Sequence, residues 1–159
     1  MIPKLVYQRL NTETITEELS EYELADNLTT PAIFKDHAPK DAEFNYIVYR
    51  LEVTEDINTS FKDQIMLRVH TWCKKEGTST LTSDRLAREI KKLFQHAYLN
   101  DPDGEYKAIR FFYRDSSMLT NEDERERGVV HYVHQFEAPA YDAGVIEAVN
   151  ERSLDIYNN

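Results

Sequence analysis

Apolar and polar positions alternate most cleanly in two stretches of the chain. Between Tyr46 and Val53, Ile47, Tyr49, Leu51 and Val53 fall on one side, and Tyr46, Val48, Arg50 and Glu52 on the other. Between Gln64 and Cys73, Ile65, Leu67, Val69, Thr71 and Cys73 alternate with Gln64, Met66, Arg68, His70 and Trp72. A period of two sends successive side chains to opposite faces, so both stretches predict strands with one apolar face. Two further strands are predicted at Tyr106–Tyr113, dense in aromatics, and at Val129–Glu137, ended by Ala138-Pro139. Pro31–Phe34 predicts a short fifth one. Helical spacing governs Leu86, Ile90, Leu93 and Ala97, with Ala87 and Phe94 beside them. Thr82 or Ser83 is the expected N-cap, Asp84 lies in the first turn, and Lys91, Lys92 and His96 suit the negative C-terminal end.

The N-terminal third is less regular. Pro3–Leu10 predicts a short helix, because proline suits a first helical position. Thr12–Leu28 is rich in helix formers, with an imperfect stripe of Ile15, Leu19 and Tyr22, and predicts a second helix after a break near Asn11. Asp142 is placed to cap a terminal helix through Val145, Ile146 and Val149. Two pairs of neighbouring strands suggest antiparallel hairpins, and the amphipathic helix needs an apolar surface to cover. The expectation is an α+β fold: a mainly antiparallel sheet of about four strands covered on one face by helices. Residues 1–141 would form one domain and 142–159 a C-terminal helix or arm.

Composition narrows the class. At 159 residues the chain can bury a core, and 4 Gly and 5 Pro exclude collagen or a loop-rich scaffold. A single cysteine, Cys73, permits neither an internal disulfide nor a multi-cysteine metal site. No apolar run has the roughly 20 residues of a membrane-spanning helix, and no charged leader precedes an apolar run near Met1, so a soluble cytoplasmic protein is expected. The formal charge of −10 repels free nucleic acid, and no element carries a basic stripe.

The candidate chemistry is sparse. His131 and His134 have HxxH spacing, but three positions along a strand point to opposite faces, so they cannot chelate one ion. His70 and Cys73 fail as a base–nucleophile pair for the same reason. Asp101, Asp103 and Glu105 echo a calcium loop, but Pro102 breaks the register. The run Glu122, Asp123, Glu124, Arg125, Glu126, Arg127 reads as a solvated loop within a long polar segment, Arg114–Gly128. No phosphate loop, GxSxG, HExxH or CxxC is present, so no catalytic residue, cofactor or metal is assigned. The aromatic load stands out: 10 Tyr, 7 Phe and 1 Trp. Trp72, Met66 and Tyr46 would lie on the sheet face opposite the apolar rows, which points to a second cover, either a terminal segment or another copy of the chain.

Taken in order, PAIFKDHAPKDAEFNYIVYRLEV, MLRVHTW, LTSDRLAREI, an aromatic strand, an acidic hairpin loop and VHYVHQFEAPAY resemble the tail completion, or tail terminator, proteins of long-tailed bacteriophages. The likeness spans Ile2–Tyr141 and rests on element order and short motifs. It implies a non-catalytic virion protein assembled in the host cytoplasm. Such a protein forms a six-fold ring at the head-proximal end of the tail tube, ends tube growth and joins the tail to the head connector or stopper. Its partners would be itself, the tube protein and the connector, with DNA only passing through the lumen and no membrane involved. The interface candidates are Asp115, Glu122, Asp123, Glu124, Arg125 and Arg127 in the hairpin segment, with Trp72 and Met66 on the aromatic face. Two other readings compete: a different neck component such as an adaptor or stopper, and a small α+β enzyme or ligand-binding domain with a pocket near His70, Arg68 and Tyr46.

Overall fold

The computed structural model describes residues 2–24, 27–55, 62–99, 106–107 and 109–142. In chain order these form α1 (Ile2–Leu10), α2 (Glu13–Thr16), β1 (Glu21–Glu23), β2 (Thr29–Pro31), β3 (Ile33–Lys35), β4 (Tyr46–Glu55) and β5 (Lys62–Lys74). Then follow α3 (Leu81–Phe94), β6 (Tyr98–Leu99), β7 (Tyr106–Lys107), β8 (Ile109–Arg110), β9 (Phe112–Met118), α4 (Glu122–Glu126) and β10 (Val129–Asp142).

The main sheet runs β3-β4-β5-β10, and the outer edge of β10 is shared by β9 and β7. Six strands therefore occupy five positions. Both expected hairpins are present: β4 pairs antiparallel with β5, and β9 with β10. β10 also pairs antiparallel with β5 from Val129↔Lys74 to Tyr141↔Lys62, which makes these two long strands the centre of the sheet. The fold is α+β as expected, but the sheet is larger than four strands and of mixed orientation, because β3 runs parallel to β4. Ten residues separate those two strands, enough for the chain to travel back along the sheet before entering β4 in the same direction. That connecting segment, 36–45, lies over the sheet and matters below.

The alternation holds residue by residue in β5, whereas in β4 Val48 is also buried, on the other face, and Val53 is 49% exposed. Ile65, Leu67, Val69, Thr71 and Cys73 are buried, whereas Gln64, Met66, Arg68, His70 and Trp72 are only partly so. On the buried face, α3 contributes Leu86, Ile90 and Phe94, and α1 contributes Ile2, Val6 and Leu10. Phe94 meets Phe111 and Phe136 at ring-centroid distances of 5.9 and 5.4 Å. Each large apolar side chain so enclosed contributes about 1.5–3 kcal/mol relative to exposure. α1 is fixed to this layer by Arg9, whose Nη1 donates to the carbonyl of Leu93 at the end of α3 (2.7 Å), and by the Tyr49 hydroxyl, which donates to the Pro3 carbonyl (3.1 Å).

Three local expectations are corrected. The helix expected over Thr12–Leu28 is limited to Glu13–Thr16, and Glu21–Glu23 instead pairs with Thr29–Pro31. Tertiary hydrogen bonds override helix propensity here: the Ser20 amide donates to the Asn45 carbonyl, and the Ser20 hydroxyl to the Phe44 carbonyl. The aromatic strand Tyr106–Tyr113 is split into pieces, because His96 and Phe111, and Phe111 and Ala97, exchange backbone bonds that draw 109–111 toward the end of α3. α3 begins two or three residues earlier than expected, with Thr80 at its N-cap and Ser83 buried inside, and it ends at Phe94. The calcium-like turn at 101–105 and the terminal helix proposed for 142–159 lie outside the described residues, apart from Asp142, which closes β10.

Candidate functional site

The face of the sheet away from α3 carries the least expected arrangement. Its rows follow from the register: Tyr46–Trp72–His131, Val48–His70–Val133, Arg50–Arg68–Gln135 and Glu52–Met66–Glu137. In the first row the rings stack rather than lie flat. Phe44 stacks on Tyr46 at 5.4 Å, Tyr46 on Trp72 at 5.1 Å and Trp72 on His131 at 4.1 Å. The guanidinium of Arg127 lies 5.8 Å from the Phe44 ring, at the far end of the stack. Cross-strand aromatic pairs of this kind are a main source of sheet stabilisation.

α4 closes one end of this stack. Asn121 caps it with a capping box: its side chain accepts from the Glu124 amide and the Glu124 carboxylate accepts from the Asn121 amide, both at 2.8 Å. The same carboxylate accepts from Trp72 Nε1 at 2.9 Å and lies 3.5 Å from His131 Nδ1. Glu124 is only 7% exposed. The charge run therefore forms a short capped helix rather than a solvated loop, and one of its acids is a buried anchor. The long polar segment is likewise not one loop, since β9 takes up its first part.

His131 and His70 form a hydrogen-bonded pair, Nδ1 of His70 to Nε2 of His131 at 3.1 Å. Burial holds both below the ordinary histidine range. For His70 the neighbouring His131, Arg50 and Arg68 push further the same way, down to about 4, while Glu124 opposes the effect on His131. Both rings are thus neutral near pH 7. Cys73 is buried on the other face with its thiol pushed up to about 12 by burial and by Glu18, which leaves it unreactive. The two-face argument holds for His131 and His134 as well: His131 joins the aromatic stack, and His134 is buried on the α3 side at 3% exposure. No group of three or more metal-ligating side chains occurs among the described residues.

Of the interface candidates, Trp72 and Glu124 meet directly, and Arg127 joins the same stack through Phe44. Glu122, Asp123 and Arg125 lie exposed on α4. Asp115 is exposed on β9 opposite Gln135, and Met66 sits between Glu52 and Glu137, remote from the stack. The cavity on this face is a groove of 380 Å³ between the sheet and segment 36–44, floored by Phe44, Tyr46, Val48 and Trp72. Of His70, Arg68 and Tyr46, the residues near which the sequence suggests a pocket between sheet and helix, Tyr46 alone lines the groove, which opens on the face away from α3. The sequence hint for it was the polar, proline-containing stretch ahead of the YIVY strand.

These features define a helix-backed mixed sheet whose second face is an aromatic row partly roofed by a loop and a short helix. No protein-family model matches the chain, and no curated protein matches it. Its fold is similar to a chain in a solved structure described as "Virion of native gene transfer agent (GTA) particle", with a TM-score of 0.60 and 12% sequence identity, over 86% of this chain and 91% of that one. At that identity the likeness establishes a shared fold.

Proposed function

We propose that this chain is a structural subunit of a bacteriophage-like virion and, within it, a tail terminator. In this reading six copies form a ring on the last ring of the tail tube, halt its growth and present a surface to the head connector. The chain performs no catalysis. The observation that carries the reading is the fold shared over 91% of a chain from a gene transfer agent virion. It agrees with the order of elements from Ile2 to Tyr141 that resembles tail completion proteins. A further support is β9 and the residue after it, where Phe112, Met118 and Leu119 are 37%, 57% and 49% exposed, beside a strand edge that no described strand pairs with. Such an edge suits burial against a neighbouring subunit. Six chains at −10 each carry a formal charge of −60, and a ring so charged would not hold DNA passing through it.

The test is light scattering coupled to size exclusion, followed by negative-stain microscopy with and without purified tail-tube protein. Rings, or tubes capped by a ring, with a mass near six times 18.7 kDa are expected. A monomer that neither forms rings nor caps tubes, and whose melting temperature rises with a small ligand, would overturn the reading in favour of a binding domain.

A further inference from the structure

The groove under segment 36–44 differs from the rest of the surface in its charge. Lys40, Arg50 and Arg127 line it, and none of them makes an ion pair among the described residues. Its one lining carboxylate, Asp36, is matched by Lys35 at 3.5 Å. Farther down the same sheet face the cations are satisfied: Arg68 pairs with Glu52 at 2.5 Å, and Arg114 with Glu137 at 3.0 Å. Arg50 stands directly opposite Arg68, and among the described residues its side chain donates from Nε to the Asp36 carbonyl (2.9 Å). Like charges facing each other across strands destabilise a sheet, and only one of this pair is relieved. Three exposed cations without an ion-pair partner among the described residues line one groove in a chain of charge −10, which makes this groove a locally positive site that favours an anion.

The floor specifies more. Phe44, Tyr46, Trp72 and His131 use their faces on one another, and Arg127 faces the end of the row. What the rings offer the groove is their edges, which carry the positive part of the ring quadrupole. Edges favour an anion and leave no open face for a nucleobase to stack on. Pro39, Ala42 and Val48 add an apolar patch. Arg127 stands at the Phe44 end of the row, and Arg50 lies four residues along β4 from Tyr46, about 13 Å from it in a strand.

We propose that this groove binds an extended acidic segment of a partner protein, in which two carboxylates about four residues apart flank an apolar side chain. The carboxylates meet Arg50 and Arg127, and the apolar residue enters between segment 36–44 and the ring edges. The acidic surface elsewhere repels such a segment and steers it here. The groove is a property of the single chain and does not depend on ring formation.

Trp72 is the only tryptophan, so its emission reports occupancy directly. The probe is a capped five-residue peptide with glutamate at both ends, alanine beside each and leucine at the centre, titrated at low salt. A saturable change in Trp72 emission is expected. It should weaken with added salt and be absent for the same peptide with lysine ends. Arg50→Ala with Arg127→Ala should lower the affinity about tenfold. Four outcomes would overturn the proposal: no response to the glutamate peptide at millimolar concentration, equal binding of the lysine-ended peptide, a response to oligothymidylate in its stead, or an emission change with protein concentration alone, which would make the occupant a second copy. The peptide comparison stands even if the double variant fails to fold.

Discussion

His134 is enclosed on the α3 side of the sheet, and neither of its ring nitrogens has a hydrogen-bond partner. Burial, and Lys91 after it, push its pKa down to about 4 from the usual 6.5. In the unfolded chain the ring takes up a proton below pH 6.5; in the folded chain it does so only near pH 4. The unfolded state therefore binds more protons in that window, and stability falls as pH drops from 6.5 toward 4. His70 and His131 act in the same direction. For a ring as buried as His134 the loss is on the order of 3 kcal/mol across the window. His134→Leu should raise the melting temperature at pH 7 by removing two unsatisfied nitrogens, worth about 1–3 kcal/mol, and should flatten the decline toward pH 4. Thermal melts at pH 4.5 and 7 check this; a lower melting temperature for the variant at both would contradict it. Glu124 gives a second residue-level expectation. Glu124→Ala strands Trp72 Nε1 and the Asn121 amide and should cost about 1–3 kcal/mol, whereas Glu124→Gln keeps one carboxamide oxygen, an acceptor for one of the two, and should cost less. Urea unfolding followed by Trp72 emission separates the two.

At the scale of elements, the β9–β10 hairpin shows how a polar segment can be structural. Gly128 follows α4 with φ of 68°, and its carbonyl accepts from the Lys75 amide. A Cβ there would meet no atom within 4 Å, so Gly128→Ala isolates the backbone cost of the left-handed conformation. It should destabilise by about 1–2 kcal/mol with Trp72 emission unchanged in the native state, measurable by chemical denaturation. Removing Asn121–Arg127 outright would uncover the aromatic stack as well as the surface charges, so loss of assembly after that deletion would not identify an interface. Substitution of the exposed members alone does so: Glu122→Lys, Asp123→Lys and Arg125→Glu should change stability by no more than about 0.5 kcal/mol each. If α4 touches a neighbour, the same variant should lose ring formation or tube capping in the microscopy assay. Normal assembly by the triple variant would remove α4 from the interface.

Across the whole molecule, the two faces of the sheet divide the work. The α3 side holds the continuous apolar core, from Ile2 and Val6 through Leu67 to Phe136 and Ala138. The opposite side is assembled from aromatic and charged rows that no long helix among the described residues covers. In a monomer such a face is a cost; in a particle it is available for subunits and partners. The proposed assembly and the proposed groove binding are separable, because the exposed apolar side chains lie at β9 and its end and the groove opens beside β4. Met118→Ser with Leu119→Ser should therefore weaken self-association in light scattering while leaving the Trp72 response to the acidic peptide intact.

The period-two rows of β4, β5 and β10 were legible in the sequence because alternation is local: a strand with one buried face must place apolar residues every second position. The heptad-like stripe of α3 was legible for the same reason, and so was the geometric separation of His131 from His134. The short pieces were not. Thr12–Leu28 has helix-forming residues, yet Ser20 is claimed by Phe44 and Asn45, more than twenty positions away. Glu124 sits in a run of exposed charges and is singled out only by Trp72, 52 positions earlier. The parallel β3–β4 pair and the groove beneath segment 36–44 likewise depend on where the chain returns, not on which residues compose it. Local sequence determined which side chains share a face, since that follows from backbone geometry. Tertiary structure decided which faces, charges and rings meet, since those contacts form between residues that only the completed sheet brings within reach.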